Sequence, residues 1–490
     1  MALLLRLGVR HQRTDEIART SSDKETRSLA PIFDEERGVA RKQVSSIHDH
    51  PDITLETLQS LMLANDVTQL LVKELAPNDN SKNQPYVSKG NLDALNILPA
   101  GEFETDSKHN TLKAALDFRW LQSNGSISLA PQAKLIFYPQ YPEVRLSGFL
   151  KGAKNAPNYL MNTRAEGRLL FLGVTTDRRI IGWAAGPDSS LAHAYVSLKT
   201  PEKLGVFTLV PLVGGRVGLS TRSLLIQELR RIHLLDWIDS KALARDGSVV
   251  SCVSAHCVGY TLEAELGVAR NGISEPDFKG WEVKATTVKK LDGKPSAKPV
   301  TLMTPEPTGG LYRTLGVADF VRRFGYPDKK GRPDRKNFGG NFFAGIRHTN
   351  TKLTLALNGY DADKREIIDT SGSLALLTDN DDVAAEWSFA SLMSLWNRKH
   401  AQAVYVPAEM RKAPSLQYRY GGAVRIAEGT DFVRLLQAIS ARTVYYDPGI
   451  KLENESTKSA RTKRRSQFRI RSRELASLYS KVEQITLLGF

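Results

Sequence analysis

Apolar and polar positions alternate along this chain with two different periods, and the change from one to the other divides it. From Ala133 to about Leu219 the text reads as strands. Lys134-Leu135-Ile136-Phe137-Tyr138, Glu143-Val144-Arg145-Leu146-Ser147-Gly148-Phe149, Arg168-Leu169-Leu170-Phe171-Leu172-Gly173-Val174 and Arg179-Ile180-Ile181-Gly182-Trp183 are short apolar runs punctuated by Gly and Pro, as in a barrel or sandwich. Before them Leu55, Leu58 and Leu61, then Leu70, Leu71 and Leu75, suit helical faces, so two short helices are predicted, with Thr54 and Asp66 as caps. After them Leu225, Leu229, Ile232 and Leu235 recur at intervals of four, three and three, which predicts a helix capped by Ser220-Thr221. Residues 1–50 mix both charges with few large apolar side chains, as in Ser21-Ser22-Asp23-Lys24-Glu25, and a mobile leader is expected there.

At 490 residues the chain exceeds one ordinary compact unit. Roughly 100–200 residues per domain gives two to three domains. The shift of pattern near residue 220 sets the expected boundaries: a helix-plus-β N-terminal domain over 51–219 and a second domain over 220–490.

The 41% of hydrophobic residues can build real cores. A formal net charge of +15 and an isoelectric point near 9.6 attract a polyanion, which nucleic acid or an acidic membrane surface would supply. No run approaches the roughly 20 apolar residues that span a bilayer. Met1-Ala2-Leu3-Leu4-Leu5-Arg6 opens like a signal peptide, but its apolar run stops short and lacks a preceding basic segment, so a cytoplasmic location is expected. The two cysteines, Cys252 and Cys257, make no disulfide framework, and buried thiols in a reducing compartment are expected. Zinc is not expected, because His256 is beside them but no second Cys/His pair completes four ligands.

The densest chemistry follows those cysteines. Gly259-Tyr260-Thr261-Leu262-Glu263-Ala264-Glu265 reads as helix, and Glu275-Pro276-Asp277-Phe278-Lys279-Gly280-Trp281-Glu282-Val283-Lys284 as a hairpin. In a strand Glu282 and Lys284 point to one side, Trp281 and Val283 to the other. With Asp277 just before the turn, its carboxylate can converge with that of Glu282 on one hard cation. Oxygen ligands of this kind suit Mg²⁺, or Mn²⁺ in its place. Such a cation can hold a phosphate oxygen and acidify water, with Lys284 alongside and Glu263 as further ligand or base. Without one, the acids would repel and one would tend to protonate.

Other segments carry groups able to meet bases or phosphates. They are Asn80 and Lys82 in the polar loop Pro77–Gln84, Asn397, Arg398, Lys399 and His400 at a helix end before the strand Val404-Tyr405-Val406, and Arg465, Gln467, Arg469 and Arg471, expected on one side of a strand. Arg145, Lys151, Lys154, Arg164, Arg168, Arg178 and Arg179 could form a basic face on the N-terminal half, and Arg322 to Arg332 a basic loop. In each case a turn or solvated face is the competing reading.

The spacing of Glu263 and Asp277, with the Gly259-Tyr260-Thr261-Leu262-Glu263-Ala264 lead-in and the Glu275-Pro276-Asp277-Phe278-x-Gly280-x-Glu282-x-Lys284 core, resembles the MvaI/BcnI restriction endonucleases, which are related to the mismatch-repair nickase MutH. The resemblance runs from near Ser223 to Phe490 and includes Trp387-Ser388-Phe389 and Trp396 to Ala403. It implies an α/β (mixed) PD-(D/E)xK restriction-endonuclease-like C-terminal core beside a β-rich N-terminal domain. By this match Glu263, Asp277, Glu282 and Lys284 occupy the catalytic positions, with the three acids holding Mg²⁺. The implied activity is sequence-specific hydrolysis of double-stranded DNA in restriction, by a monomer or weak dimer, with a cognate methyltransferase as partner. The family's best-known members are catalytic-only, whereas about 220 residues precede this region, so two alternatives stay open. A nuclease gated by an N-terminal sensor of modified or foreign DNA is one, and a non-catalytic DNA-binding regulator the other.

Overall fold

Strands that are apolar on both faces form the middle of the N-terminal half. In the computed structural model, residues 51–77, 84–89, 92–198, 202–212, 221–254, 256–270, 276–291, 299–329 and 331–488 are described. The leader expected over 1–50, and the candidates Asn80 and Lys82, lie outside them.

A seven-stranded sheet has the order Lys203–Leu204, Phe207–Val210, Val67–Leu75, Arg168–Thr175, Ile180–Ala185, Phe118–Leu121, Ile127–Leu129. A five-stranded sheet has the order Tyr86–Lys89, Glu143–Ser147, Lys134–Tyr138, Thr111–Ala115, Phe103–Asp106. The runs expected as strands are strands. The helix Leu55–Ala64 also forms, with the Thr54 hydroxyl accepting from the Thr57 N–H at 3.3 Å.

The second predicted helix is instead the strand Val67–Leu75. Asp66, at φ 63°, breaks the chain out of the helix, and the β-branched Val67, Thr68 and Val72 favour extension. Leu70, Leu71 and Val72 are buried in succession, with Leu71 in one core and its two neighbours in another. A strand covered on both faces has no alternation to read. Arg168 is also not part of an exposed basic face. It is buried, and its guanidinium donates to the carbonyls of Leu160, Ala165 and Ala76.

The C-terminal half is built on a mixed sheet. Trp237–Asp239, Gln417–Tyr420, Gln402–Arg411, Ala423–Glu428 and Lys481–Thr486 pair in that order, and Glu282–Thr287 joins Gln402–Arg411 in parallel. One face packs under the helices Thr221–Leu234 and Cys257–Glu265, through Leu225, Leu229, Ile232 and Leu262 against Val283, Val404, Val406 and Ile426. Leu235 falls past the end of the first helix and is exposed. The other face, with Ala403, Tyr405 and Ala427, belongs to a core continuous with Leu71, Leu112 and Phe118 of the N-terminal half. A buried hydrogen bond from the Phe103 N–H to Ser394 Oγ, at 2.8 Å, crosses between the halves. The architecture is mixed α/β with a β-rich N-terminal region. Among the described residues no helix is long and apolar enough to cross a membrane.

Cys252 and Cys257 are buried as expected but are joined as a disulfide, which corrects the reading of two separate thiols. The turn between them brings their Cα atoms to 5.7 Å, inside bonding range.

Candidate active site

Two residues of positive φ set the approach to the site. Lys279 and Gly280, at 46° and 89°, make the turn that joins Phe278 to Trp281 in a single bridge. Two central residues of positive φ twist the chain the way a hairpin needs, and glycine takes the second position without strain. The turn leaves Asp277 beside the start of the strand Glu282–Thr287, where its Oδ2 accepts the Val283 N–H at 2.9 Å. Trp281 fills the core, and its indole N–H donates to Thr221 Oγ1 at 3.2 Å.

Strand alternation then separates two chemistries. Val283 and Ala285 join the helix-covered core, while Glu282, Lys284 and Thr286 share the other face. Glu282 is 3% exposed, and Lys284 Nζ sits 2.6 Å from its Oε1. Tyr405, opposite Lys284 in the parallel register, hydrogen-bonds through its hydroxyl to that of Tyr479 at 3.0 Å. Glu263 comes from the helix Cys257–Glu265, which is tied at several points. Glu265 pairs with Lys241 at 2.6 Å, Thr261 exchanges hydrogen bonds with the Lys241 backbone, and Tyr420 donates to the Val258 carbonyl.

Burial and crowding of like charges set the protonation of these acids. Burial, then the charges of Asp277 and Glu282, push Glu263 up to about 7. Burial, then Glu282, push Asp277 up to about 6 against the pull of the Val283 N–H. Burial acts on Glu282 in the same direction, but Lys284 and Lys399 outweigh it and hold that carboxyl below its ordinary range. Lys284 is raised, because the Glu282 carboxylate overcomes the cost of burying its ammonium. The three acids thus act on one another electrostatically and differ in proton affinity.

The donor set fits a hard divalent cation. All three side chains offer oxygen, and Glu282 Oε2 is buried without a hydrogen-bond partner. Among the described residues no three His, Cys, Asp or Glu side chains are drawn together as a ready coordination cage. The ammonium of Lys284 on Glu282 Oε1 provides the nearest positive charge.

Of the expected DNA contacts among the described residues, the structure brings Lys399 and His400 to this centre. Lys399 Nζ lies 3.7 Å from Glu282 Oε1. His400 is fully buried, stacks on Trp396 at 4.2 Å, donates from Nε2 to the Leu302 carbonyl at 2.9 Å, and is kept neutral by burial and by Lys284, with its pKa down to about 3. Asn397 is buried with both amide atoms unpartnered. Arg398 binds Glu102 and the Ser394 carbonyl. Gln467 and Arg469 both donate to Asp447, while Arg465 and Arg471 are exposed. Only Arg469 and Arg471 fall within the strand Phe468–Arg471, with Arg465 and Gln467 preceding it. Alternation from Glu282 and Lys284 puts Thr286 on their face, whereas the place of Tyr405 beside Lys284 follows from strand pairing that sequence reading did not supply.

Two solved structures of the restriction endonuclease MvaI are similar to this chain at 17% sequence identity. One is a complex with its cognate DNA substrate, with a TM-score of 0.41 over 55% of this chain and 99% of that one. The other is without DNA, with a TM-score of 0.31 over 55% and 100%. No curated protein matches. The family model for MvaI/BcnI restriction endonucleases matches residues 226–479, just over half of the chain. That span contains the helix bearing Glu263, the turn at Asp277, the strand bearing Glu282 and Lys284, and the helix ending at His400. The chain therefore belongs to the MvaI/BcnI restriction endonuclease family.

Proposed function

We propose that this protein is a Mg²⁺-dependent endonuclease that cuts double-stranded DNA at a specific sequence and acts in the cytoplasm against foreign DNA. The observation that carries the reading is the electrostatic coupling of Glu263 and Asp277 to Glu282, which Lys284 pairs at 2.6 Å, inside the family match. Asp277, Glu282 and Glu263 would hold Mg²⁺ or Mn²⁺, which supplies Lewis acidity toward a phosphate oxygen and lowers the pKa of water. Lys284 orients the attacking water and neutralises charge building on phosphorus. Where Asp277 and Glu282 hold the cation alone, Glu263 would instead be the base that takes the proton the water loses. Water adds to phosphorus as the bond to the 3′ oxygen breaks, leaving a 5′-phosphate and a 3′-hydroxyl.

Residues 51–219 are proposed as a recognition or regulatory domain and 220–490 as the catalytic domain. The bond from Phe103 to Ser394 ties the N-terminal half to the helix that ends beside the centre. A second reading makes that half a gate on cleavage that responds to DNA modification.

A plasmid digest with Mg²⁺, followed by deep sequencing of the released ends, tests the proposal. Ends with 5′-phosphates clustered at one short sequence are expected, and scattered ends would overturn site specificity. Comparing methylated with unmethylated plasmid separates the two readings. Sparing of methylated DNA supports restriction beside a cognate methyltransferase, and sparing of unmethylated DNA supports a sensor.

A further inference from the structure

The basic face expected on the N-terminal half does not stay together in the structure. Arg168 is buried, Arg145 binds Glu143 between the rings of Tyr86 and Tyr138, Arg178 donates to the Ala100 carbonyl at 2.7 Å, and Arg179 pairs with Asp177 and Asp66. Lys151, Lys154 and Arg164 remain, all exposed on the connection between the strands Glu143–Ser147 and Arg168–Thr175, with Tyr159 61% exposed among them. From Leu146 to Ala165 this stretch contains no Asp or Glu. Neither Lys151 nor Lys154 forms an ion pair with a described residue.

The side chains of the connection are open to solvent while its backbone is fixed. The Trp120 indole N–H donates to the Phe149 carbonyl at 2.7 Å, Ser128 Oγ to that of Lys154 at 2.6 Å, and Gln122 Nε2 to that of Asn155 at 3.4 Å. Further along, Met161 is fully buried in the core, and the Arg168 guanidinium holds the carbonyls of Leu160 and Ala165. At Gly148, with φ 71°, a Cβ would lie 2.0 Å from the Gln132 carbonyl oxygen, so the turn that opens the connection requires glycine. A chain already held in place loses little freedom on binding, and unpaired lysines give up no ion pair. Ammonium groups on a fixed, acid-free strip suit phosphates, with the Tyr159 hydroxyl as a neutral donor. An acidic membrane would meet the same charge, but Tyr159 is the one exposed large apolar side chain among the described residues of this stretch, too little for an apolar face that enters a bilayer.

We propose that Lys151, Lys154, Tyr159 and Arg164 form a DNA-contact site outside the catalytic half, which holds the phosphate backbone of duplex DNA without reading its sequence; this rests on the nuclease reading above. The test uses the full chain and two duplexes, one with the cut site mapped for wild type and one without it, with binding measured in Ca²⁺ over a range of KCl. Lys151→Ala/Lys154→Ala should weaken binding to both duplexes alike, by about tenfold near ~0.1 M salt, and make log affinity fall less steeply with log salt, by about 2 in slope, because each lost phosphate contact removes about 0.9. Lys151→Arg/Lys154→Arg should restore affinity and slope. Single-turnover cleavage by the alanine variant at saturating protein should stay within about threefold of wild type, since binding and not chemistry is lost. Lys364→Ala/Lys481→Ala, which removes two exposed positive charges elsewhere, should change neither affinity nor slope. An unchanged slope, or a defect confined to the duplex with the cut site, overturns the proposal. So does loss of binding to phosphatidylserine vesicles with duplex binding intact. Wild type that binds both duplexes but cuts neither counts instead against the nuclease reading.

Discussion

Removing an active-site acid should stabilise this protein at alkaline pH. Glu263 moves from 4.5 to about 7 and Asp277 from 3.8 to about 6 between free and folded environments. At about 1.4 kcal/mol per tenfold change in proton affinity, each corresponds to about 3 kcal/mol. Their mutual repulsion enters both values, so the pair together amounts to about 3–4 kcal/mol rather than twice the single figure. Both carboxyls are raised, so the folded state holds its protons more tightly than the unfolded state. The contribution is complete near pH 4 and is lost as pH rises through about 6 to 7. Glu263→Gln and Asp277→Asn imitate the protonated forms. In urea unfolding of metal-free protein, each variant should match wild type near pH 4 and exceed it by about 1–3 kcal/mol at pH 8. Mg²⁺ should stabilise wild type more at pH 8 than at pH 5, and stabilise the variants less. Variants that track wild type at every pH would mean that these acids are not crowded, and the cation-binding reading would lose its physical basis.

Leu262, fully buried under the helix that presents Glu263, should cost about 2–4 kcal/mol when replaced by Ala, read as a fall in the urea midpoint with unchanged slope. Gly280→Val, at φ 89°, should cost about 1–2 kcal/mol and reduce cleavage more than DNA binding, because it disturbs the turn that places Asp277. Raising pH from 5.5 to 8 should increase the cleavage rate at limiting Mg²⁺ and shift the midpoint downward at saturating Mg²⁺, since the cation competes with the protons held by Glu263 and Asp277 near about 7 and about 6. An invariant midpoint would separate the rate-limiting ionisation from these acids.

The mutual placement of Asp277, Glu282 and Lys284 was legible because it is local. Period-two alternation puts Glu282 and Lys284 on one face, and Lys279-Gly280 turns the chain so that Asp277 meets the strand. Lys399 reaches the same carboxylate only through the parallel pairing of Glu282–Thr287 with Gln402–Arg411, and no local pattern encodes that pairing. The strand Val67–Leu75 was misread because burial on both faces erases periodicity. Asn397, His400 and Gln467 have groups suited to base edges, but the same groups sit inside the protein, where His400 donates to Leu302 and Gln467 to Asp447. Donor and acceptor chemistry does not say whether a side chain faces a ligand or its own core. The β-rich character of the N-terminal half came from its apolar runs. Its shared core with the C-terminal half came from long-range packing and left no trace in those runs.

Single-turnover cleavage of supercoiled plasmid, titrated with Mg²⁺ and run on wild type, Asp277→Ala and Lys284→Ala, is the most direct test. Wild type should cut only above a threshold of Mg²⁺ and stop on chelation, while both variants bind DNA and leave it intact. Cleavage by wild type in the chelator, or by either variant at the wild-type rate, would contradict a centre built on these acids and this lysine.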